Sequence, residues 1–343
     1  MKAGWAARAA AVAEQLPLGR LHPAALAAAP AGVWAVALSG GGDSVALLLL
    51  LWAHYPRRRR KLVALHFDHG LRGPASRADA RFCRRLCAEL GVRYEEGRWT
   101  ERAGKDPAEA QSRDARNRFL EGACRRRRAA ALWLGHQQDD IAETLLMRVA
   151  RGSGTAGLAA PRPVSAAEAG ATRRLRPLLT LPKAEIERVL RQAGAAFRTD
   201  QSNRGGRFLR NRVRHRVISA WKKAADGDRD PVAGAALTRS LMEEDDQALE
   251  AWTEGCRALT PAGRLNLKRL SGMPRAVWRR ALQRWVVRQR QPAQDSPGGN
   301  FKLSRAGFER LLEAILTGKT QRISLGAADF ARIRRGWLYR EGG

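Results

Sequence analysis

The chain has 343 residues, enough for two domains that each bury a core, so a disulfide-stapled scaffold is unnecessary. Sixty-three Lys and Arg stand against 33 Asp and Glu, a net charge of +30, while 44% of the residues are apolar. That balance excludes a disordered basic tail and points to a polyanionic partner, nucleic acid foremost, with GC-rich coding bias as the compositional alternative. Cys83, Cys87, Cys124 and Cys256 include no CxxC pair, so a thiolate metal centre is unsupported and a reducing cytoplasm is the expected compartment. The apolar stretch 45–53 is too short to span a bilayer, and Arg8, Glu14 and Arg20 interrupt the region where an export signal would lie. No membrane association is expected.

After a helical lead-in, 33–38 (VWAVAL) reads as a short apolar strand, 39–44 (SGGGDS) as a loop and 45–54 as an apolar helix. Residues 62–67 (LVALHF) form the second expected strand. A helix over 79–90 follows, with Phe82, Cys83, Leu86, Cys87 and Leu90 on one stripe, and 92–95 is a candidate third strand. The pattern then predicts a long helix over 107–127, a strand over 130–134 and a helix over 139–151 that Gly152, Gly154 and Gly157 terminate. Repeated strand and helix units of this spacing predict an α/β fold, a parallel sheet with helices on both faces. Ligands in such sheets lie beyond the carboxyl ends of the strands, which aligns SGGGDS, 66–72 (HFDHGLR) and 135–140 (GHQQDD) along one rim.

The charged segment 221–231, with its Gly and Pro, marks a boundary. It gives a first domain over 1–225 and a smaller, mainly helical second domain over 226–343, with helices over 232–258, 274–290 and 304–316 and short β-like pieces at 321–325 and 337–340. The first domain holds 42 basic and 19 acidic side chains and the second 21 and 14, so the positive field belongs mainly to the first.

Ser39, Gly40, Gly41, Gly42, Asp43 and Ser44 join an apolar strand to an apolar helix. Successive glycines permit close backbone approach, and the loop amides with the helix amino end can hold an anion. Asp43 would be misplaced among phosphates unless a cation stands between them, which implies Mg²⁺. No Lys occupies the loop, so it is neither GxxxxGK[ST] nor GxGxxG. The loop resembles the SGGxDS loop of the N-type ATP pyrophosphatases, whose Rossmann-like domains cleave ATP to AMP and pyrophosphate while adenylating a substrate oxygen. That resemblance makes ATP the expected nucleotide, bound by residues 39–44, with Asp43 the expected metal ligand.

Further segments narrow the resemblance. HFDHGLR at 66–72, the helix segment EAQSRDAR at 109–116, GHQQDDIAET at 135–144, RGSG at 151–154 with Gly157 and Leu158, RPLL at 176–179, DQSN at 200–203 and RNRVR at 210–214 are similar, in order and spacing, to motifs of the bacterial tRNA(Ile)-lysidine synthetases. Gly135 and Ser112 stand where that family usually has Ala, and Asn117 replaces an aromatic residue. The carboxyl part resembles the family's small helical tRNA-binding domain through 267–285, and since longer members of that family continue into a further domain, a short-form member is expected.

The resemblance implies ligation of free L-lysine to C2 of the wobble cytidine in the isoleucine tRNA with a CAU anticodon, through a tRNA adenylate. Asp140 and Glu143 lie three apart on one helix face, suited to a cationic ligand, and Arg113 and Arg116 are likewise spaced to hold a carboxylate. The family's pattern assigns Asp140, Glu143 and one of these arginines to lysine, without saying which. The candidate catalytic residues are Asp43, His136 and Asp140; His136 either meets the nucleotide or supports groups that do. His66 and His69 have no defined metal spacing, His69 being suited to order the HGLR turn, and Asp139 either positions Mg²⁺ or caps its helix. Arg207, Arg210, Arg212 and Arg214 form a dense patch expected to follow the tRNA backbone. Trp278, Leu282 and Trp285 form an apolar stripe expected to be core, flanked by Arg275, Arg279, Arg280, Arg284 and Arg288.

Three other functions compete. A tRNA-thiolating enzyme of the same superfamily would need a sulfur relay or cluster-ligating cysteines, a non-catalytic RNA-binding module would not need Asp43, Asp140 and Glu143, and an amidotransferase would need a glutaminase. The sequence leaves room for a homodimer and for either order of substrate binding.

Overall fold

The computed structural model describes residues 4–70, 73–99, 109–165, 172–198, 209–225, 227, 229–290, 301, 303–318, 322–326 and 329–342. The chain separates into two compact units, Met1–Glu243 and Glu244–Gly343. The division falls inside the helix Pro231–Gly255, later than the 225/226 boundary that the Gly and Pro content of 221–231 suggests. Within it residues 221–224 close one helix and Pro231 opens the next, and Val232 and Ala235 just beyond it are buried in the first unit with Ala142, Val213 and Ile218.

The first unit is built on a six-stranded sheet of β1 (Val33–Ala37), β2 (Leu62–Asp68), β3 (Arg93–Arg98), β4 (Ala129–Trp133), β5 (Val164–Ser165) and β6 (Arg173–Leu175), in the order β3-β2-β1-β4-β6-β5. All neighbours pair in parallel except β5, a short antiparallel edge strand on β6. The order reverses at β1: the chain moves one way to β2 and β3, then returns to the other side for β4. The crevice beyond the carboxyl ends of β1 and β4 is therefore the switch point at which such sheets bind ligands. The expected α/β class is present, and β5 and β6 are additions too short to stand out by alternation in the sequence.

The helix Gly42–His54 after β1 is apolar on every side, and Val45 through Leu51 are all buried. A helix without a polar face must be covered all round; Trp5–Gln15 and Lys183–Gln192 pack on it, and together with β1 they enclose it. Its amino end, which is the loop, is consequently fixed by the core.

The second unit packs Arg275–Arg290 and Arg305–Leu316 with an antiparallel sheet of β7 (Leu265–Asn266), β8 (Arg322–Gly326), β9 (Asp329–Arg334) and β10 (Trp337–Glu341), in the order β7-β10-β9-β8. Helical residues outnumber strand residues here, and the β-like pieces of the sequence belong to this sheet. Leu282 and Trp285 are fully buried and Trp278 packs partly against the same core. Arg280 and Arg284 pair with Asp246 and Glu250, and Arg275 with Glu309 and Glu313.

Candidate active site

The loop is shaped by its own two serines. The Ser44 hydroxyl donates to the Gly41 carbonyl at 2.9 Å and accepts from the Ser39 amide at 3.1 Å, while the two hydroxyl oxygens lie 3.1 Å apart. Ser39 and Ser44 thus brace the loop. Gly40 has φ of +90°, and a Cβ there would lie 3.2 Å from Cys83 Sγ and 3.4 Å from Arg198 Cγ, so glycine is needed for both conformation and space. Above it, the Arg198 amide donates to the Gly40 carbonyl at 2.8 Å, and its Nε to Asp79 at 2.7 Å. At the helix start, Gly41 offers no side-chain cap, which leaves the first-turn amides suited to an anion.

Asp43 stands in that first turn with its Oδ1 buried and without a hydrogen-bond partner among the described residues. Burial, and secondarily the nearby charge of Asp140, push its carboxyl up to about 7. A buried carboxylate oxygen without a hydrogen-bond donor, beside uncapped amides, fits a divalent cation. Among the described residues no group of three or more His, Cys, Asp or Glu could enclose a metal, so a cation at Asp43 would draw its remaining oxygens from phosphate and water.

Across the switch point, Gly135 presses the exit of β4 onto the loop: a Cβ there would lie 3.0 Å from the Asp43 carbonyl and 3.2 Å from the Ser44 nitrogen. Gln137, fully buried, then starts the helix Gln138–Val149 with a capping box. Its side chain accepts from the Asp139 amide at 2.5 Å, and Asp140 Oδ2 accepts from the Gln137 amide at 3.0 Å. Asp139 turns away from this helix. Its carboxylate accepts from the Lys183 amide at 3.0 Å, where the helix Lys183–Gln192 begins, and meets Lys222 at 3.7 Å.

His136 is a neutral donor. Burial, with Arg176, Arg116 and Arg210 nearby, holds its pKa far below the ordinary imidazole value against the pull of Asp140. Arg176 Nε donates to His136 Nδ1 at 3.1 Å; since a guanidinium only donates, the ring hydrogen resides on Nε2. Arg176 is itself buried, bound to Ser165 Oγ at 2.6 Å and the Arg162 carbonyl at 2.8 Å. His66 donates from Nδ1 to the Leu38 carbonyl at 2.9 Å and ties β2 to the end of β1. His69 Nδ1 lies 2.8 Å from Ser112 Oγ, so the serine that replaces the usual alanine joins the 66–70 turn to the helix Glu109–Arg126.

Asp140 and Glu143 are both buried, Glu143 completely. They face a helical run over 209–224, made of Leu209–Arg212, a π-helical stretch Val213–Ile218 and Ser219–Ala224, which packs through Val213 and Ile218 on Ala142. Arg210 donates to Asp140 Oδ1 at 2.5 Å and to Glu143 Oε2 at 2.6 Å; Arg214 donates to Glu143 Oε1 and lies 3.6 Å from Asp140. Burial works against both guanidiniums, but the carboxylates win and raise them further. In turn Asp140, which burial would raise, is held below its ordinary value chiefly by Arg210. The sequence places Arg210 and Arg214 in an RNA-facing patch, whereas the structure turns both inward. Arg212 is exposed, and Arg207 lies outside the described residues.

Arg113 and Arg116 are exposed on the helix Glu109–Arg126 and make no hydrogen bond or ion pair among the described residues. Arg116 shares the electrostatic field of Arg113, Arg210 and Asp140. Sequence reasoning missed Arg176 and Lys183. The RPLL motif contained the first, and the second follows it by seven positions. Lys183 is near enough to lower Asp43, and lies 3.9 Å from Glu187, whose Cγ comes within 3.6 Å of where a Gly42 Cβ would stand.

A parallel sheet whose first strand feeds a bracing Ser-Gly-Gly-Gly-Asp-Ser loop into a buried helix, with a second polar segment across the switch point, defines a PP-loop protein. The PP-loop domain family matches residues 20–221. The tRNA(Ile)-lysidine synthase of Methylobacterium sp. is 36% identical over 318 residues, covering 90% of this chain and 89% of that protein. That of Solibacter usitatus is 44% identical over 184 residues, covering 54% of this chain and 40% of the relative; the chain thus matches less than half of that relative's length. The U34-tRNA thiolase NcsA from Methanococcus maripaludis, solved with its [4Fe-4S] cluster, shares the fold, with a TM-score of 0.52 at 18% identity, covering 69% of this chain and 78% of the thiolase. The chain belongs to the tRNA(Ile)-lysidine synthase family of PP-loop proteins. No helix among the described residues is long and apolar enough to cross a membrane.

Proposed function

We propose that the protein joins free L-lysine to C2 of the wobble cytidine of the CAU-anticodon isoleucine tRNA, consuming ATP and releasing AMP and pyrophosphate. In the first half, the cytidine O2 attacks the α-phosphorus of ATP and the bond to pyrophosphate breaks. Residues 39–44 hold the phosphates through backbone amides, and Asp43 would hold Mg²⁺, which when bound offsets charge on the departing pyrophosphate. The Nε2–H of His136 adds a neutral donor within the same crevice, and Arg176 fixes its tautomer. In the second half the lysine side-chain nitrogen attacks C2, the C2–O2 bond breaks and the oxygen leaves with AMP. The amine has to shed its proton to attack, because its ordinary pKa is about 10.4.

The observation that carries this reading is the nearness of opposite signs: Asp140 and Glu143 for amino groups, and Arg116, without an ion pair among the described residues and within the field of Asp140, for a carboxylate. An amino acid with a cationic side chain needs both. Sulfur transfer finds less support, since Cys83, Cys87 and Cys124 are buried thiols with raised pKa values, about 12 for Cys87 and about 11 for Cys124. The test is incubation with ATP, Mg²⁺, radiolabelled lysine and a transcript of that tRNA. Label entering the tRNA only when ATP is present is expected; label absent, with a sulfur donor incorporated instead, overturns the reading.

A further inference from the structure

We propose that Arg210 and Arg214 latch the amine pocket by occupying Asp140 and Glu143, and that bound RNA draws these guanidiniums onto its phosphates, so that RNA and the amine substrate favour each other's binding. This rests on the assignment of Asp140 and Glu143 as amine ligands.

All four carboxylate oxygens of the pocket are in use. Asp140 Oδ1 takes Arg210 and its Oδ2 the Gln137 amide, while Glu143 Oε1 and Oε2 take Arg214 and Arg210. Two negative groups meet two positive ones, so the cluster is neutral. An ammonium group entering it would meet the two guanidiniums already paired there and would leave a buried excess positive charge, which is costly. One guanidinium must therefore withdraw before an amine can bind.

The helical run that carries the latch also has the means to withdraw it. Arg212, Arg216, Lys222 and Lys223 lie on the same run and are exposed, a cationic face of the kind that tracks a phosphate backbone. Its π-helical stretch begins between the two latch residues, at Val213, and such departures from regular winding recur where a helix has a local functional task. RNA that engages the exposed cations offers phosphate as a substitute partner for Arg210 and Arg214. By linkage, the factor by which RNA tightens amine binding is the factor by which the amine tightens RNA binding.

The test is filter binding of the CAU-anticodon isoleucine tRNA transcript over a salt series. Glu143→Gln removes the carboxylate that holds both arginines and should bind the transcript about tenfold tighter, with a salt slope steeper by roughly one to two units as the freed guanidiniums reach phosphates. Wild type with saturating lysine should tighten in the same direction. A variant that melts like wild type yet binds the transcript equally or more weakly overturns the latch. Asp140→Asn, which leaves Glu143 in place, gives the same comparison with a smaller increase if Glu143→Gln does not fold. Tightening by the variants without any effect of lysine keeps the latch and contradicts the amine assignment, so the two failures are told apart.

Discussion

The loop and the carboxylate pocket occupy two sides of one crevice and are completed to different degrees by the protein. At residues 39–44 the serines close their hydrogen bonds within the loop, and what remains open is deliberate in its chemistry: uncapped amides and one orphaned oxygen of Asp43. At Asp140 and Glu143 every carboxylate oxygen already accepts a hydrogen bond, three of them from Arg210 and Arg214 and one from the Gln137 amide. On the proposed reaction, the first half would use a preformed site and the second a site that has to be vacated. Perturbing one should leave the other's step largely intact.

The largest effect is expected from Asp43→Asn. Adenylation, followed by pyrophosphate release, should fall by about a thousandfold or more, while tRNA binding is retained. The same change should stabilise the protein. The folded carboxyl titrates at about 7 against an ordinary 3.8, so the native state holds the extra proton between those values, and stability falls as pH rises from about 4 to about 7. Thermal unfolding as a function of pH should show that fall in wild type and lose it in Asp43→Asn. For the same reason ATP–Mg²⁺ binding should strengthen as pH rises through about 7 in wild type alone.

Next in size is the amino-acid carboxylate. Arg116→Gln should raise the lysine concentration needed for half-maximal incorporation by about thirtyfold, roughly 2 kcal/mol, with adenylation unchanged. Arg113→Gln should cost less, because Arg116 lies within the field of Asp140. Equal penalties would mean that both guanidiniums hold the ligand. His136→Gln keeps a neutral donor and should lose no more than about tenfold in turnover, with a pH profile parallel to wild type between pH 5.5 and 8; a new pH dependence in the variant would show that His136 titrates during the reaction.

The smallest effect belongs to Gly135→Ala. A methyl group 3.0 Å from the Asp43 backbone requires the loop or the β4 exit to yield by a few tenths of an ångström. A few-fold rise in the ATP concentration for half-maximal adenylation, without change in lysine dependence, is expected.

Much of the loop side was legible in the sequence, because its signal is local: an apolar strand, three glycines with Asp43, and an apolar helix are contiguous. The switch point followed from the alternation of strands and helices. What stayed hidden depends on pairing across distance. Arg210 is 67 positions from Glu143 and 70 from Asp140, and a run of arginines reads as a phosphate-binding face until the fold shows which of them turn inward. Ser112 and Gly135, noted only as departures from a family motif, bond His69 and leave room for the Asp43 backbone, respectively. The domain boundary was displaced because Val232 and Ala235, just beyond the Gly and Pro near 230, are buried with residues of the first unit.

The separation of the two half-sites is tested most directly by a two-stage assay of Glu143→Gln, measuring the tRNA adenylate first and lysine incorporation second. Adenylate should form at close to the wild-type rate, while incorporation should require far more lysine, a loss of about 2–5 kcal/mol for breaking a buried charge-paired contact. Unchanged lysine dependence, or adenylation lost together with incorporation, would contradict it.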